Sequence, residues 1–142
     1  MKHTITIPGL PVAKGRPRFT RSGQTYTPDK TRQYEALVRS CFDTQCGAPF
    51  APEQPVFVMI CAYFPIPKSY PKYQRLALDG AFHLKKPDAD NVAKSVLDAL
   101  NGHAYPDDSA VQIAGVYKIY TNASPRVEVI LSTEGLSYGE AT

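Results

Sequence analysis

The alternation of apolar and polar side chains along the chain predicts several β-strands. HTITI at residues 3–7 alternates as a half-buried strand does. PVFVMICAYF at residues 55–64 is a continuous apolar run between prolines, which predicts a strand buried on both faces. VQIAGVYKIY at residues 111–120 and RVEVILS at residues 126–132 flank the turn residues TNASP, and they predict a pair of antiparallel strands.

Apolar residues at helical spacing predict two main helices and a short one. The first main helix lies within residues 27–42, with Thr27 as a possible cap and Pro28 at the first helical position, and the short helix lies within residues 69–80. The second main helix covers residues 90–101 and ends at Gly102. Its apolar side carries Val92, Ala93, Val96, Leu97, Ala99 and Leu100, and its polar side carries Asp90, Asn91, Lys94, Ser95, Asp98 and Asn101. We therefore expect an α+β fold, in which a small mixed β-sheet is packed by two main helices in two α/β layers.

The length of 142 residues fits a single domain, 1–142, that folds around one core. The three cysteines form no CxxC pair and no leader sequence is apparent, so we expect a reducing, cytoplasmic location. No apolar run approaches the roughly 20 residues that cross a bilayer, so no membrane association is expected.

Charge is distributed unevenly along the chain, although the net charge is only +3. Residues 1–40 carry eight basic and two acidic side chains, whereas residues 95–142 carry two basic and six acidic ones. This asymmetry suggests a polyanionic partner that is held by one part of the molecule. An ordinary solvated surface explains it about as well.

Two acidic clusters flank the second main helix. KKPDADNVAK at residues 85–94 places Asp88 and Asp90 among three lysines, and YPDDSAV at residues 105–111 carries Asp107 and Asp108. Each cluster alone has a structural explanation, since acids cap helices and favour turns. The helix between them is about 18 Å long, so the extended segment NGHAYP is long enough to bring the clusters together, although nothing in the sequence requires it.

If the acids converge, their oxygen ligands select Mg²⁺, with Mn²⁺ as a substitute, over zinc. The histidines are isolated, and DADNVAKSVLDA lacks the glycine and the final glutamate of a calcium loop. A GxxxxGK[ST] phosphate loop is missing too, so no small-molecule cofactor is expected. Carboxylates that hold Mg²⁺, with Lys94 near a phosphate, would suit metal-assisted hydrolysis of a phosphodiester.

The motif D-x-D-N-x-x-K, followed by D-A-L and a later D-D before a strand, resembles the RusA family of Holliday junction resolvases. KGRPRFTRSGQTYTPDKTRQYE, near the amino terminus, resembles the phage-borne branch of that family. The resemblance implies a small α/β fold, a homodimer and endonucleolytic resolution of four-way DNA junctions in recombination and repair. It also implies that Asp88, Asp90 and Asp108 are catalytic acids that bind Mg²⁺, with Asp107 as the alternative to Asp108, and that Lys94 contributes to catalysis.

Basic side chains near both motifs are candidates for contacts with branched DNA. Interleaved aromatic residues, Phe19 and Tyr26, suit base stacking in the first segment. The candidate DNA-binding residues are Lys14, Arg16, Arg18, Arg21, Lys85 and Lys86. Two other functions remain open: a less selective nuclease of flaps or forks, and a junction-binding protein without catalytic activity.

Overall fold

A computed structural model describes residues 1–15, 18–26 and 28–136 of the chain. Its centre is a four-stranded mixed sheet with the strand order β1-β6-β4-β5. The elements are β1 (Lys2–Pro8), β2 (Arg18–Phe19), β3 (Thr25–Tyr26), α1 (Asp29–Gln45), β4 (Val56–Pro65), α2 (Lys72–Leu78), α3 (Ala89–Leu100), β5 (Val111–Thr121) and β6 (Arg126–Ser132).

Alternate residues of β4 face two different layers. Val56, Val58 and Ile60 belong to the main core, which also takes its apolar residues from α1, α3 and the other strands. Met59 and Cys61 point to the opposite face, where they form a smaller buried cluster with Ile130 of β6. The helices α1 and α3 therefore cover one side of the sheet, and the expected α+β fold of two main helices on a mixed sheet is confirmed.

The predicted pairing of the last two strands is wrong. β5 and β6 run antiparallel but are not hydrogen-bonded neighbours in the sheet, because β4 lies between them. β4 pairs in parallel with β5, from Val56 opposite Val111 to Pro65 opposite Thr121, and antiparallel with β6. A strand that is apolar on both faces is most stable at the centre of a sheet, and β4 has this composition. The four residues between β5 and β6 therefore cross beyond the end of β4.

The polar side of α3 also differs from the prediction at one position. Ser95 is fully buried, together with Val92, Ala93 and Val96. Its hydroxyl donates to the carbonyl oxygen of Val92 at 2.8 Å, so the helix itself satisfies the only polar atoms of the side chain. A small hydroxyl that bonds its own helix can enter the core at little cost, whereas a carboxylate or an amide cannot.

Residues 18–26, which belong to the amino-terminal basic segment, form a short hairpin. β2 and β3 pair antiparallel, with Arg18 opposite Tyr26 and Phe19 opposite Thr25. Gly23 has a φ of +84°, a conformation that glycine adopts without strain. The hairpin exposes Phe19 by 73% and Tyr26 by 47%.

Over the described residues, no helix combines the length and apolar character that a membrane crossing requires.

Candidate functional site

Asp88 precedes the first turn of α3 but does not cap the helix. It occupies the N-cap position, yet its side chain makes no hydrogen bond to the helix backbone. The carboxylate instead pairs with the ammonium of Lys86, with Nζ 3.0 Å from Oδ1 and 3.1 Å from Oδ2. Both side chains are more than half exposed. The capping explanation for Asp88 therefore fails, and this carboxylate is accessible from solvent.

The exposed face of α3 carries Asp90, Lys94 and Asp98 on successive turns of the helix. Asp90 and Lys94 are exposed near the amino-terminal end, on the side of the helix that faces away from the core. Asp98 lies two turns further along, about 12 Å from Asp90 along the helix axis. The predicted acid and lysine pair thus shares one accessible surface with Asp88.

Lys118 of β5 holds the chain segment that leads to Asp88. Its ammonium donates to the carbonyl oxygens of Lys85 at 2.6 Å and Pro87 at 2.8 Å. The backbone N–H of His83 donates to the Lys118 carbonyl oxygen at 2.8 Å, which adds the segment to the edge of the sheet. The ring of His83 stacks on Phe64 at 4.1 Å between centroids. These contacts tie the start of α3 to β4 and β5.

The two acids of the later pair have different environments. Asp107 begins the single 3₁₀ turn Asp108–Ala110 and accepts a hydrogen bond from the backbone N–H of Ser109 at 3.3 Å. Hydrogen bonding to Ser109 lowers the pKa of Asp107. Asp107 is therefore explained as a turn residue, whereas the structure gives no hydrogen bond from the turn backbone to the Asp108 carboxyl.

Asp108 lies beside the carboxyl-terminal half of α3. Partial loss of hydration raises the pKa of the Asp108 carboxyl, and repulsion by Asp98 and Asp107 raises it further, while the Tyr105 hydroxyl acts in the opposite direction. Tyr105 is buried, and its hydroxyl lies 2.9 Å from the carbonyl oxygen of Leu97 and also within reach of Asp108, so these two acceptors compete for its one proton. Tyr105 thus connects Asp108 to α3.

The two acidic clusters lie toward different parts of α3. Asp88 and Asp90 are at its amino-terminal end, while Asp108 is within electrostatic range of Asp98. In the parts of the chain that the structure describes, no three His, Cys, Asp or Glu side chains are placed to hold one metal ion. The side chains nevertheless suit a hard cation, because the donors are carboxylates and the repulsion around Asp108 is what a divalent cation would relieve.

The candidate DNA-binding residues have different surroundings. Lys14 is held between Glu35 of α1, at 3.1 Å, and Asp98 of α3, at 3.2 Å, with only 24% of its side chain exposed. Its position is therefore that of a link between the two main helices. Arg21 is exposed in the hairpin turn. Arg16 and the side chain of Arg18 lie outside the described residues.

The other two candidates flank Asp88. Lys86 pairs with Asp88 itself, and Lys85 has its Nζ 3.5 Å from the Tyr70 hydroxyl. Both lysines are exposed. They place positive charge directly beside the first acidic cluster.

Two residues that organise this region, Lys118 and Tyr105, belong to no motif of the sequence. Lys118 bonds main-chain carbonyls more than 30 residues away, and such partners leave no trace in a motif. Tyr105 stands next to Pro106 and the acidic pair, and this position in the sequence is the signal that could have identified it. A buried aromatic residue there indicates that the loop after α3 packs back against the helix.

Comparison with known proteins gives two findings. The sequence model of a family described as "Endodeoxyribonuclease RusA" matches residues 8–132. A relative that is 39% identical over 137 residues is "Uncharacterized protein YqaN" of Bacillus subtilis (strain 168). The match covers 89% of this chain and 93% of that protein.

Proposed function

Because the chain belongs to the RusA family of endodeoxyribonucleases, we propose that it resolves Holliday junctions by paired symmetric nicks in DNA recombination and repair, with Mg²⁺ as cofactor. The observation that supports this proposal is the accessible surface at the start of α3. There Asp88 makes no capping bond, and Asp90 and Lys94 point away from the core. Two carboxylates and an ammonium at one exposed edge suit a phosphodiester with its metal.

Asp88, Asp90 and Asp108 are the proposed Mg²⁺ ligands, and Mn²⁺ is the expected substitute. Asp108 is preferred to Asp107, because the Asp107 carboxylate already accepts the bond that starts the 3₁₀ turn. The metal would activate water and offset charge on the phosphate. Lys94 would place its ammonium near the non-bridging phosphate oxygens, and Lys118 would keep the segment before Asp88 in position.

DNA is proposed to approach along the positive charge beside this surface. Lys85 and Lys86 are exposed next to Asp88, and Arg21 is exposed on the hairpin, which also presents Phe19 and Tyr26. Arg16 and Arg18 remain proposed contacts on the basis of the sequence. Lys14 is the weakest of the proposed contacts, because its ammonium is already shared by two carboxylates.

The functional unit is proposed to be a two-fold symmetric homodimer. Resolution of a four-way junction requires two symmetric nicks, and one chain carries one acid set. The strands richest in apolar and aromatic residues are β4 and β5. β4 is internal to the sheet, whereas β5 is an edge strand on which Ile113 is 58% exposed. Residues 80–83 bond to Lys118 and Tyr120 at the carboxyl-terminal half of this edge, so the interface is proposed at the amino-terminal half of β5, around Ile113.

Cleavage of a synthetic four-way junction, with and without Mg²⁺, tests this function. Asp88→Asn and Asp90→Asn should each abolish cutting and leave junction binding unchanged or slightly tighter, since they remove negative charge where phosphates approach. Asp29→Asn is the matched control, because Asp29 is an exposed acid in the first turn of α1. It should cut as the wild-type protein does.

Three outcomes would contradict parts of this proposal. A folded Asp90→Asn variant that loses binding together with cutting would make the acid structural. Junction binding by the wild-type protein without any Mg²⁺-dependent cutting would indicate a catalytically silent binding protein. Equal cutting of flaps, forks and four-way junctions would indicate a less selective nuclease.

The proposal that two active sites of a dimer make the two nicks has a separate test. Light scattering should give the mass of two chains, and a mixed dimer of one wild-type and one Asp90→Asn chain should nick only one strand of each junction. Two nicks by the mixed dimer, or a wild-type monomer at assay concentrations, would refute paired nicking.

A further inference from the structure

The surface around α2 has no role in the site described above. We define the α2 surface by Lys68, Tyr70, Lys72, Tyr73, Arg75 and Leu76. None of the seven residues of α2 is buried, and Tyr73 and Leu76 are exposed by 76% and 64%. Tyr73 and Leu76 are three residues apart on the helix, so the ring and the leucine share one exposed face that a partner can contact.

The α2 surface is uniformly basic. Between residues 54 and 87 the sequence has five basic side chains and a single acid, Asp79. The Asp79 carboxylate is turned toward the loop after β5, where it accepts a hydrogen bond from the backbone N–H of Asn122 at 2.8 Å. Within the described residues, Lys72 and Arg75 take part in no ion pair. No carboxylate in this part of the structure is therefore paired with their positive charges.

The backbone of α2 is bonded to the loop after β5, while the side chains of Lys72, Tyr73 and Leu76 remain exposed. The Asn122 side chain donates to the carbonyl oxygen of Arg75 at 3.1 Å. A shallow depression beside the helix is lined by Lys72, Arg75, Leu76 and Asn122. The Nε atom of Arg75 is buried and has no hydrogen-bond partner among the described residues, so a phosphate would have to bind this side chain through its two terminal nitrogens.

The α2 surface is continuous with the candidate site. The Tyr70 hydroxyl lies 3.5 Å from Nζ of Lys85, two residues before the Pro87 carbonyl that Lys118 holds. The chain between α2 and Asp88 runs along the edge of β5, where Gly80 and His83 bond to Tyr120 and Lys118. A strand of DNA whose phosphate lies at Asp88 would therefore extend toward α2.

We propose that the α2 surface is a second DNA-contacting surface, at which Lys72 and Arg75 bind phosphates and the Tyr73 ring stacks on an unpaired base at the branch point. This inference rests on the proposed function, since it takes branched DNA as the ligand. A second copy of the chain fits less well, because a two-fold contact would bring these like charges together. Branched DNA supplies both the negative charge and the exposed base faces that the surface lacks.

Fluorescence anisotropy in EDTA tests the inference, because DNA binding is then measured without cleavage. The probes are a labelled four-way junction and a linear duplex with the same arm sequence. Lys72→Ala should reduce the slope of log K against log salt by about 0.9 on both probes, as the loss of one phosphate contact does. Tyr73→Ala should weaken binding to the junction by about 5- to 100-fold, with little effect on the duplex.

Two further variants serve as controls. Tyr73→Phe keeps the ring and should bind the junction as the wild-type protein does. Lys2→Ala removes one exposed positive charge from β1, at the other edge of the sheet, and should leave the salt slope unchanged. All the substituted side chains are exposed, so thermal unfolding should be unaffected, and this is measured for each variant.

The inference is overturned if Lys72→Ala and Tyr73→Ala both bind the junction as Lys2→Ala does. It is also overturned if these substitutions change the molar mass in light scattering and not the DNA affinity, since the surface would then join two copies. The proposed function fails on a different observation, namely that the wild-type protein does not cut the junction with Mg²⁺. The binding experiment in EDTA does not depend on cutting.

Discussion

Replacing Lys118 by methionine should loosen the segment that carries Asp88. Methionine keeps an apolar stem of similar length but cannot donate the hydrogen bonds to the carbonyl oxygens of Lys85 and Pro87, at 2.6 and 2.8 Å. Hydrogen bonds to a charged group contribute about 1.5–3 kcal/mol each. The Lys85 carbonyl is exposed and can return to water, so we expect the pair to contribute about 1.5–3 kcal/mol in total.

A loss of this size corresponds to about 10- to 100-fold in the equilibrium that orders residues 85–88. Because Asp88 follows this segment directly, we expect the single-turnover rate of junction cleavage to fall by at least about tenfold. Lys118→Arg keeps the charge and the donors, so it should recover much of the rate. DNA binding in EDTA should change little, since Lys118 points toward the protein backbone.

Hydrogen exchange separates this local effect from general destabilisation. In Lys118→Met the backbone amides near residues 83–88 should exchange faster, while those of β4 should remain protected. Arg126→Met is the matched control, because Arg126 is a partly buried cation of the same sheet that pairs with Glu128. Cleavage by Lys118→Met at the wild-type rate, or an equal loss in Arg126→Met, would refute the positioning role of Lys118.

Three further predictions follow from the structure and the sequence. Lys14→Met should lower the free energy of unfolding, measured in denaturant, by about 1–2 kcal/mol, because it leaves two carboxylates unpaired. An unchanged stability with a reduced slope of log K against log salt for DNA binding would make Lys14 a phosphate contact instead. Asp108→Asn should raise the melting temperature in EDTA at pH 7, since folding raises the Asp108 pKa and so disfavours its charged form. The gain should shrink as the pH falls toward 3.8, because the wild-type carboxyl then becomes protonated, and a constant gain across this range would contradict the repulsion. Arg16→Ala and Arg18→Ala should each reduce the slope of log K against log salt by about one on any DNA, as anisotropy titrations would show, and an unchanged slope would remove that side chain from the interface.

The local pattern of the sequence determined most of the secondary structure. Period-2 and period-3.6 patterns depend on residues that are near each other in the chain, so the four strands of the main sheet, both main helices and the short helix could be predicted. The same holds for the exposed face of α3 that carries Asp90 and Lys94, because the facing of a helix follows from its apolar stripe. The family could also be predicted, since its motif lies within residues 88–108.

Only the tertiary structure decided which of these elements are neighbours. β4 separates β5 from β6, although the turn between the last two strands suggested a hairpin, because a strand's place in a sheet depends on the burial of both its faces. Lys14, predicted to contact DNA, is shared by Glu35 and Asp98 from two helices. Lys118 acts on backbone carbonyls that carry no sequence signature. Each of these contacts joins residues far apart in the chain, and their energies depend on distances that only the packed fold sets.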